Sequence, residues 1–168
     1  MNDERTINIK VKISIGNLYE FMMNNNYVSV RGVVSVLFSL VSAAGTVIFW
    51  NEFVGIQKAL MLFMALLFTV IAPIEYYVRA MKQVKKNFND EMEYIFDNSG
   101  ITIRKGEESS SLRWNEVLKV INTKNLVVVY FTPIRAFIIP KSCIGDNFNE
   151  LKAIMEKNTN CYKFKMEK

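Results

Sequence analysis

The chain has 168 residues, of which 51% are apolar and 22% charged, with a formal net charge of +5 and no histidine. The missing histidine excludes His-based general acid–base chemistry, Ser-His-Asp and Cys-His pairs, and the commonest metal ligand. Cys143 and Cys161 have no CxxC spacing and no Cys/His companions, which leaves no basis for a zinc site or a disulfide framework.

From Thr6 to Ile13 the chain alternates, with Ile7, Ile9, Val11 and Ile13 on one face and Asn8, Lys10 and Lys12 on the other. That is the pattern of a half-buried strand, and a lone strand needs a partner, here one downstream. Asn17–Tyr27, containing Leu18, Phe21 and Met22, predicts a short helix, and the two elements form an N-terminal segment over residues 1–30.

Val33–Trp50 is then 18 residues without a charge, and Ala59–Ile74 another 16. At a rise of 1.5 Å per residue the first spans about 27 Å, close to a hydrocarbon core of about 30 Å. The second reaches a similar length with its flanks, Lys58 and Glu75 snorkelling at its ends and Trp50, Phe53, Tyr76 and Tyr77 placed as interfacial aromatics. A chain of this size cannot wrap two all-round apolar helices and build anything else. The expectation is a transmembrane hairpin over residues 31–80, with helices at 33–50 and 57–77 and Pro73 at the end of the second. The connecting stretch Asn51–Lys58 holds a single Lys or Arg, Lys58, whereas Arg79, Lys82, Lys85 and Lys86 follow the second helix. The positive-inside rule then puts both termini in the cytoplasm of a multi-pass protein. Those four cations are candidate contacts with the lipids of the inner leaflet, and nucleic acid is not expected as a partner.

Neither apolar run contains Asp, Glu, Lys or Arg, which argues against a transporter or channel. Ser35, Ser39, Ser42 and Thr46 recur at spacings of four, three and four on one face of the first helix, with Ala65, Thr69 and Ala72 on the second. Such residues let membrane helices approach closely. Run antiparallel, Ser35 and Ser39 come level with Ala72 and Thr69, and Ser42 with Ala65. Packing within the hairpin and a homodimer face both fit.

Downstream, Glu93–Phe96 and Ile101–Arg104 read as strands joined by Asp97-Asn98-Ser99-Gly100, with Gly100 expected at positive φ. Ser110–Trp114, with Leu112 and Trp114 inward, Val117–Asn122, the unbroken apolar run Leu126–Phe131, and Arg135–Pro140 follow as strands. Asn147-Phe148-Asn149-Glu150 reads as a capping box opening a helix through Glu156, with Phe148, Leu151, Ile154 and Met155 buried, and Asn158–Lys168 as a loose tail. The expected fold class is a membrane α-helical hairpin plus an α+β part. That part is a small antiparallel barrel or sandwich capped by its C-terminal helix.

This order resembles a pleckstrin-homology-like (PH-like) domain. Tyr94-x-Phe96-x-x-x-Gly100-Ile101, Trp114 followed by Val117 and Val120, and Ala136-Phe137-Ile138-Ile139-Pro140-Lys141 resemble the bacterial YcxB-like family. The resemblance covers roughly residues 92–157. It implies a membrane-anchored, cytoplasmic PH-like domain over residues 81–168, in a bacterial cell membrane, and carries over no reaction.

No GxGxxG, P-loop, HExxH, GxSxG or EF-hand loop is present, so no enzyme and no cofactor is expected. Ser109-Ser110-Ser111 reads as a solvated hairpin. Arg113, Trp114, Arg135 and Lys141 are the candidate interaction residues. The leading expectation is a non-enzymatic membrane protein presenting a protein-interaction or sensing module to an unidentified membrane or cytoplasmic protein. The alternative is a bacteriocin-immunity or envelope-stress protein acting through its hairpin.

Overall fold

A computed structural model describes residues 6–88, 90–161 and 163–166. Residues 1–5 of the N-terminal segment and 162, 167 and 168 of the tail lie outside the described residues. The chain divides into a helical unit, Tyr19–Lys82, and an α+β unit made from the residues up to Leu18 and from Gln83 onward.

The α+β unit contains two four-stranded sheets. β1 (Ile7–Val11) is paired antiparallel with β2 (Met92–Phe96), followed by β3 (Gly100–Lys105) and β4 (Glu108–Arg113). The register sets Ile7 opposite Phe96, Phe96 opposite Ile101 and Ile101 opposite Leu112, so one buried apolar row crosses all four strands. Cross-strand rows of this kind carry sheet stability, and a slip of one residue would turn the row outward.

The second sheet has the order β7-β6-β5-β8: β5 (Lys119–Asn122), β6 (Leu126–Tyr130) and β7 (Ala136–Pro140) are antiparallel, and β8 (Lys163–Phe164) lies parallel to β5. Every residue of β6 is buried, as befits a strand covered on both faces. After β7 come a short helix, α5 (Lys141–Ile144), a 3₁₀ turn and α6 (Phe148–Asn158), which buries Phe148, Leu151, Ile154 and Met155.

Three local expectations change. Gly100 is not among the positive-φ residues, which are Gly106 and Gly145. It is glycine because a Cβ there would lie 2.1 Å from the Leu112 carbonyl oxygen on β4. The turn before it is instead shaped by Asp97, whose Oδ1 accepts from the N–H groups of Ser99 (2.7 Å) and Gly100 (3.0 Å). At α6 the N-cap Asn147 makes no side-chain cap, because the preceding 3₁₀ turn delivers the chain already helical. The tail is not loose: Lys165 N–H donates to the Val120 carbonyl at 2.9 Å and Met166 is buried.

The helical unit consists of α1 (Ile15–Tyr27, from Tyr19 on), α2 (Val30–Ile48), α3 (Gly55–Leu66), a π-helical turn (Leu67–Ile71) and α4 (Ala72–Asn87, to Lys82). α3, the π turn and α4 run on as one 33-residue helix, Gly55–Asn87. The expected end near residue 77 is therefore passed by ten residues, and Pro73 sits mid-helix. Both α2 and this long helix are long and apolar enough to cross a membrane.

Candidate functional site

Burial in the helical unit is reversed from that of a water-soluble protein. The buried side chains of α2 are Ser39, Ser42 and Thr46, whereas Val41, Val47 and Ile48 are 70–79% exposed. Only 17% of the most apolar window of α2 and 6% of that of the long helix is buried, where a soluble core helix would be mostly buried. Among the described residues, the exposed large apolar side chains run from Val28 to Tyr77, with only Leu118 and Ile134 elsewhere.

Ser39 does more than fill the seam. Its hydroxyl donates to the Met64 carbonyl at 3.0 Å and accepts from the Phe68 N–H at 3.4 Å, the two groups that would bond each other in a regular helix. A side chain inserted into the i→i−4 ladder distorts it, and the π turn begins here. The Ala72 N–H then bonds the Leu67 carbonyl. Pro73, one residue on, has no N–H to give. The Phe68 carbonyl, passed over by Ala72, accepts from the Tyr27 hydroxyl of α1.

The extra residue of the π turn also rotates Thr69 away. Ser39 meets Met64 and Phe68 rather than Thr69, which is exposed and bonds back to the Ala65 carbonyl. Ser35 and Thr46 bond back to Arg31 and Ser42 of their own helix, and Ala65 is buried in the seam. Of the described hydroxyls of this stripe, Ser39 is the one that bonds across to the long helix.

Next to this distortion lies a cleft of about 500 Å³, between the end of α1, the start of α2 and the stretch Phe68–Tyr76. Its corner is tight: a Cβ on Gly32 would lie 2.0 Å from the Asn26 carbonyl oxygen. Ser29 fixes the turn, donating to the Asn26 carbonyl at 2.7 Å and accepting from the Gly32 N–H at 3.2 Å. The Tyr27 and Tyr76 rings meet edge-on at 6.3 Å. Ser35 and Ala72, from the small-residue stripes, line the cleft, as do Asn25, Asn26 and Arg31. Arg31 is its one charged lining residue. Sequence reasoning placed Arg31 only as a flank of the first helix and passed over the asparagines. The available signal was the run Asn24-Asn25-Asn26 ending a helix just before an apolar one.

Arg79, Lys82, Lys85 and Lys86 are all exposed on α4, and at 100° per residue they fall within an arc of about 120°. Arg79 pairs with Glu75. Arg113 is exposed at the end of β4 beside Glu116. Arg135 and Lys141 flank opposite ends of β7, which separates them by its whole length, and the Lys141 ammonium lies 6.0 Å from the Phe148 ring centre. Trp114 is 4% exposed and donates its indole N–H to the Asp97 carbonyl at 2.8 Å. It braces the β2–β3 turn. At that turn, partial burial would raise the Asp97 carboxyl. The hydrogen bonds from the Ser99 hydroxyl and the Ser99 and Gly100 N–H groups outweigh it and hold the pKa below the usual range. Burial pushes the Tyr94 phenol well above the ordinary tyrosine value.

Residues 96–155 match the family described as YcxB-like protein. This stretch is similar to that family. It runs from the last residue of β2 through most of α6 and so includes the Trp114 turn and all of β6 and β7. The chain is also 28% identical over 116 residues to Uncharacterized protein YcxB of Bacillus subtilis (strain 168), covering 67% of this chain and 63% of that relative, less than two thirds of its length. An alignment of that length exceeds the chain from residue 96 to its end, so the likeness reaches upstream into the helices. No solved structure matches significantly.

Proposed function

We propose that α2 and the long helix span a bacterial cell membrane and anchor a PH-like α+β unit on its cytoplasmic side, as a non-enzymatic protein-interaction or sensing module. The observation that carries this reading is the reversed burial of the helical unit. Valine, leucine and isoleucine left in water each forgo about 1.5–3 kcal/mol, a loss that disappears when hydrocarbon surrounds them. Small and hydroxyl residues in the seam are what packing in lipid favours.

The positive-inside rule supports the orientation, since the exposed cations of α4 follow the second span. They also suit contact with anionic headgroups. The PH-like reading draws support from order: four strands in one sheet, three antiparallel strands in the next, then α6, with the helical pair inserted between the first and second strands. Strand addition at β4, the last strand of its sheet and exposed along Glu108–Ser111, is the docking mode that fits an interaction module. The immunity or stress reading loses its main support, because Ser39, Ser42 and Thr46 are occupied inside the hairpin.

Isolated membranes test the proposal. The full chain should resist extraction by alkaline carbonate, and protease should reach the α+β unit only in inverted vesicles. Release by carbonate, or cleavage of that unit in right-side-out vesicles, contradicts it. Replacing α2–α4 by an unrelated apolar hairpin should preserve partner capture, and loss of capture would return the function to the helices.

A further inference from the structure

The cleft of the helical unit brings one cation together with polar and apolar side chains. Arg31 is its only charged lining residue, and no carboxylate among the described residues forms an ion pair with that guanidinium. Asn25, Asn26, Ser35 and Tyr76 add polar groups to its lining, and Phe68 adds an apolar one. Around it, the outer faces of α2 and the long helix carry exposed Val34, Phe38 and Ile71. The site is also preorganised: Gly32, Ser29 and the Tyr27–Phe68 hydrogen bond fix its corner before anything enters. Its depth in the chain matters as much. It lies at the first turn of α2 and just before the charged part of α4, where apolar sequence gives way to charge on both helices.

We propose that this cleft holds the phosphate headgroup of one anionic glycerophospholipid, with Arg31 as the counter-charge and the acyl chains along the apolar faces of the helices. The inference rests on the membrane reading above. It goes beyond the diffuse attraction of Arg79, Lys82, Lys85 and Lys86 to the leaflet, because one lipid is held at one place. Guanidinium–phosphate pairs are charge-assisted and can be bidentate, which a lysine on an open surface does not match.

The test uses the full chain, purified in a mild detergent, with native mass spectrometry of retained lipid. Phosphatidylglycerol should be retained at one per chain, and zwitterionic phosphatidylcholine about tenfold more weakly. Arg31→Gln should lower phosphatidylglycerol occupancy about tenfold and Arg31→Lys less, consistent with loss of a charge-assisted bond. Ala72→Leu, which fills the cleft without touching its charge, should also expel the lipid. Lys58→Gln, at the other end of the same helices, should change nothing. Equal retention of both lipids, or no effect of Arg31→Gln and Ala72→Leu together, overturns the proposal. So does inorganic phosphate that binds with the same Arg31 dependence while phosphatidylglycerol does not compete, because the cleft would then serve a free anion. Carbonate-resistant membranes that retain no specific lipid would defeat this inference alone, and carbonate release would defeat the membrane reading with it.

Discussion

In the α+β unit Phe96, Ile101, Leu126 and Leu151 are buried while Ser109, Ser110 and Ser111 face outward; in the helical unit Ser39, Ser42 and Thr46 are buried while Leu37, Val41 and Ile48 face outward. One rule produces both patterns. Apolar groups leave water, and polar groups go where their hydrogen bonds are met. In the first unit the outside is water, so the core is apolar. In the second, under the proposed membrane placement, large side chains gain nothing by turning inward, so the seam goes to residues that allow close approach. The contrast supports the proposed second solvent more directly than the hydropathy of either helix does.

Truncations separate the units most strongly. Leu151→Ala, deep in the α+β core, should cost about 2–5 kcal/mol of unfolding free energy. Leu37→Ala, on the outer face of α2, should stay within about 0.5 kcal/mol. Denaturant titration of the full chain in detergent, following each unit with its own probe, measures both. Equal costs would erase the contrast.

A charge on the outer face works in the opposite direction. Val41→Arg near the middle of α2 should disfavour insertion by about 2.5–3.5 kcal/mol, read as loss from the carbonate-resistant fraction. On a water-facing helix the same change would be nearly silent.

The seam gives a smaller effect. Ser39→Ala removes the bridge between Met64 and Phe68, and an interhelical hydrogen bond of this kind is worth about 0.6 kcal/mol, at most about 1.7. Thr69→Val, which disturbs only a bond within its own helix, should cost less, and a reversed order would mean that Thr69 rather than Ser39 lies in the seam.

Asp97 supplies the finest distinction. Its folded pKa lies below the unfolded value of 3.8. Its contribution is therefore complete above about pH 4 and is lost as the pH falls through the lowered folded value. Asp97→Asn should flatten the loss of melting temperature on acidification below pH 4 in the α+β unit and leave the helical unit unchanged. An unaltered acid profile would mean that other carboxylates dominate.

Much of this was legible in the chain. The alternation of Ile7, Ile9 and Val11 wrote a strand, the unbroken run at Leu126–Tyr130 wrote a covered one, and two uncharged stretches wrote the helices. What was illegible depended on a second segment. The π turn arises because Ser39, from another helix, enters the ladder at Met64, so nothing within Leu67–Ile71 announces it. Gly100 looked like a turn glycine, but its constraint is the Leu112 carbonyl on β4. β8 is two residues long, too short for any periodicity. The cleft needed the α1–α2 corner, which Gly32 and Ser29 set through contacts with Asn26 that spacing does not reveal.

The most direct measurement asks what surrounds the outer face of α2. A spin label at residue 41, in a Cys143→Ser, Cys161→Ser background reconstituted into vesicles, reports collisions with apolar oxygen and with a water-soluble nickel chelate. Greater access to oxygen than to the chelate is the predicted result, with the reverse at exposed residue 110 on β4. Ready access of the chelate to residue 41 would put water against the apolar face and contradict the two-solvent account.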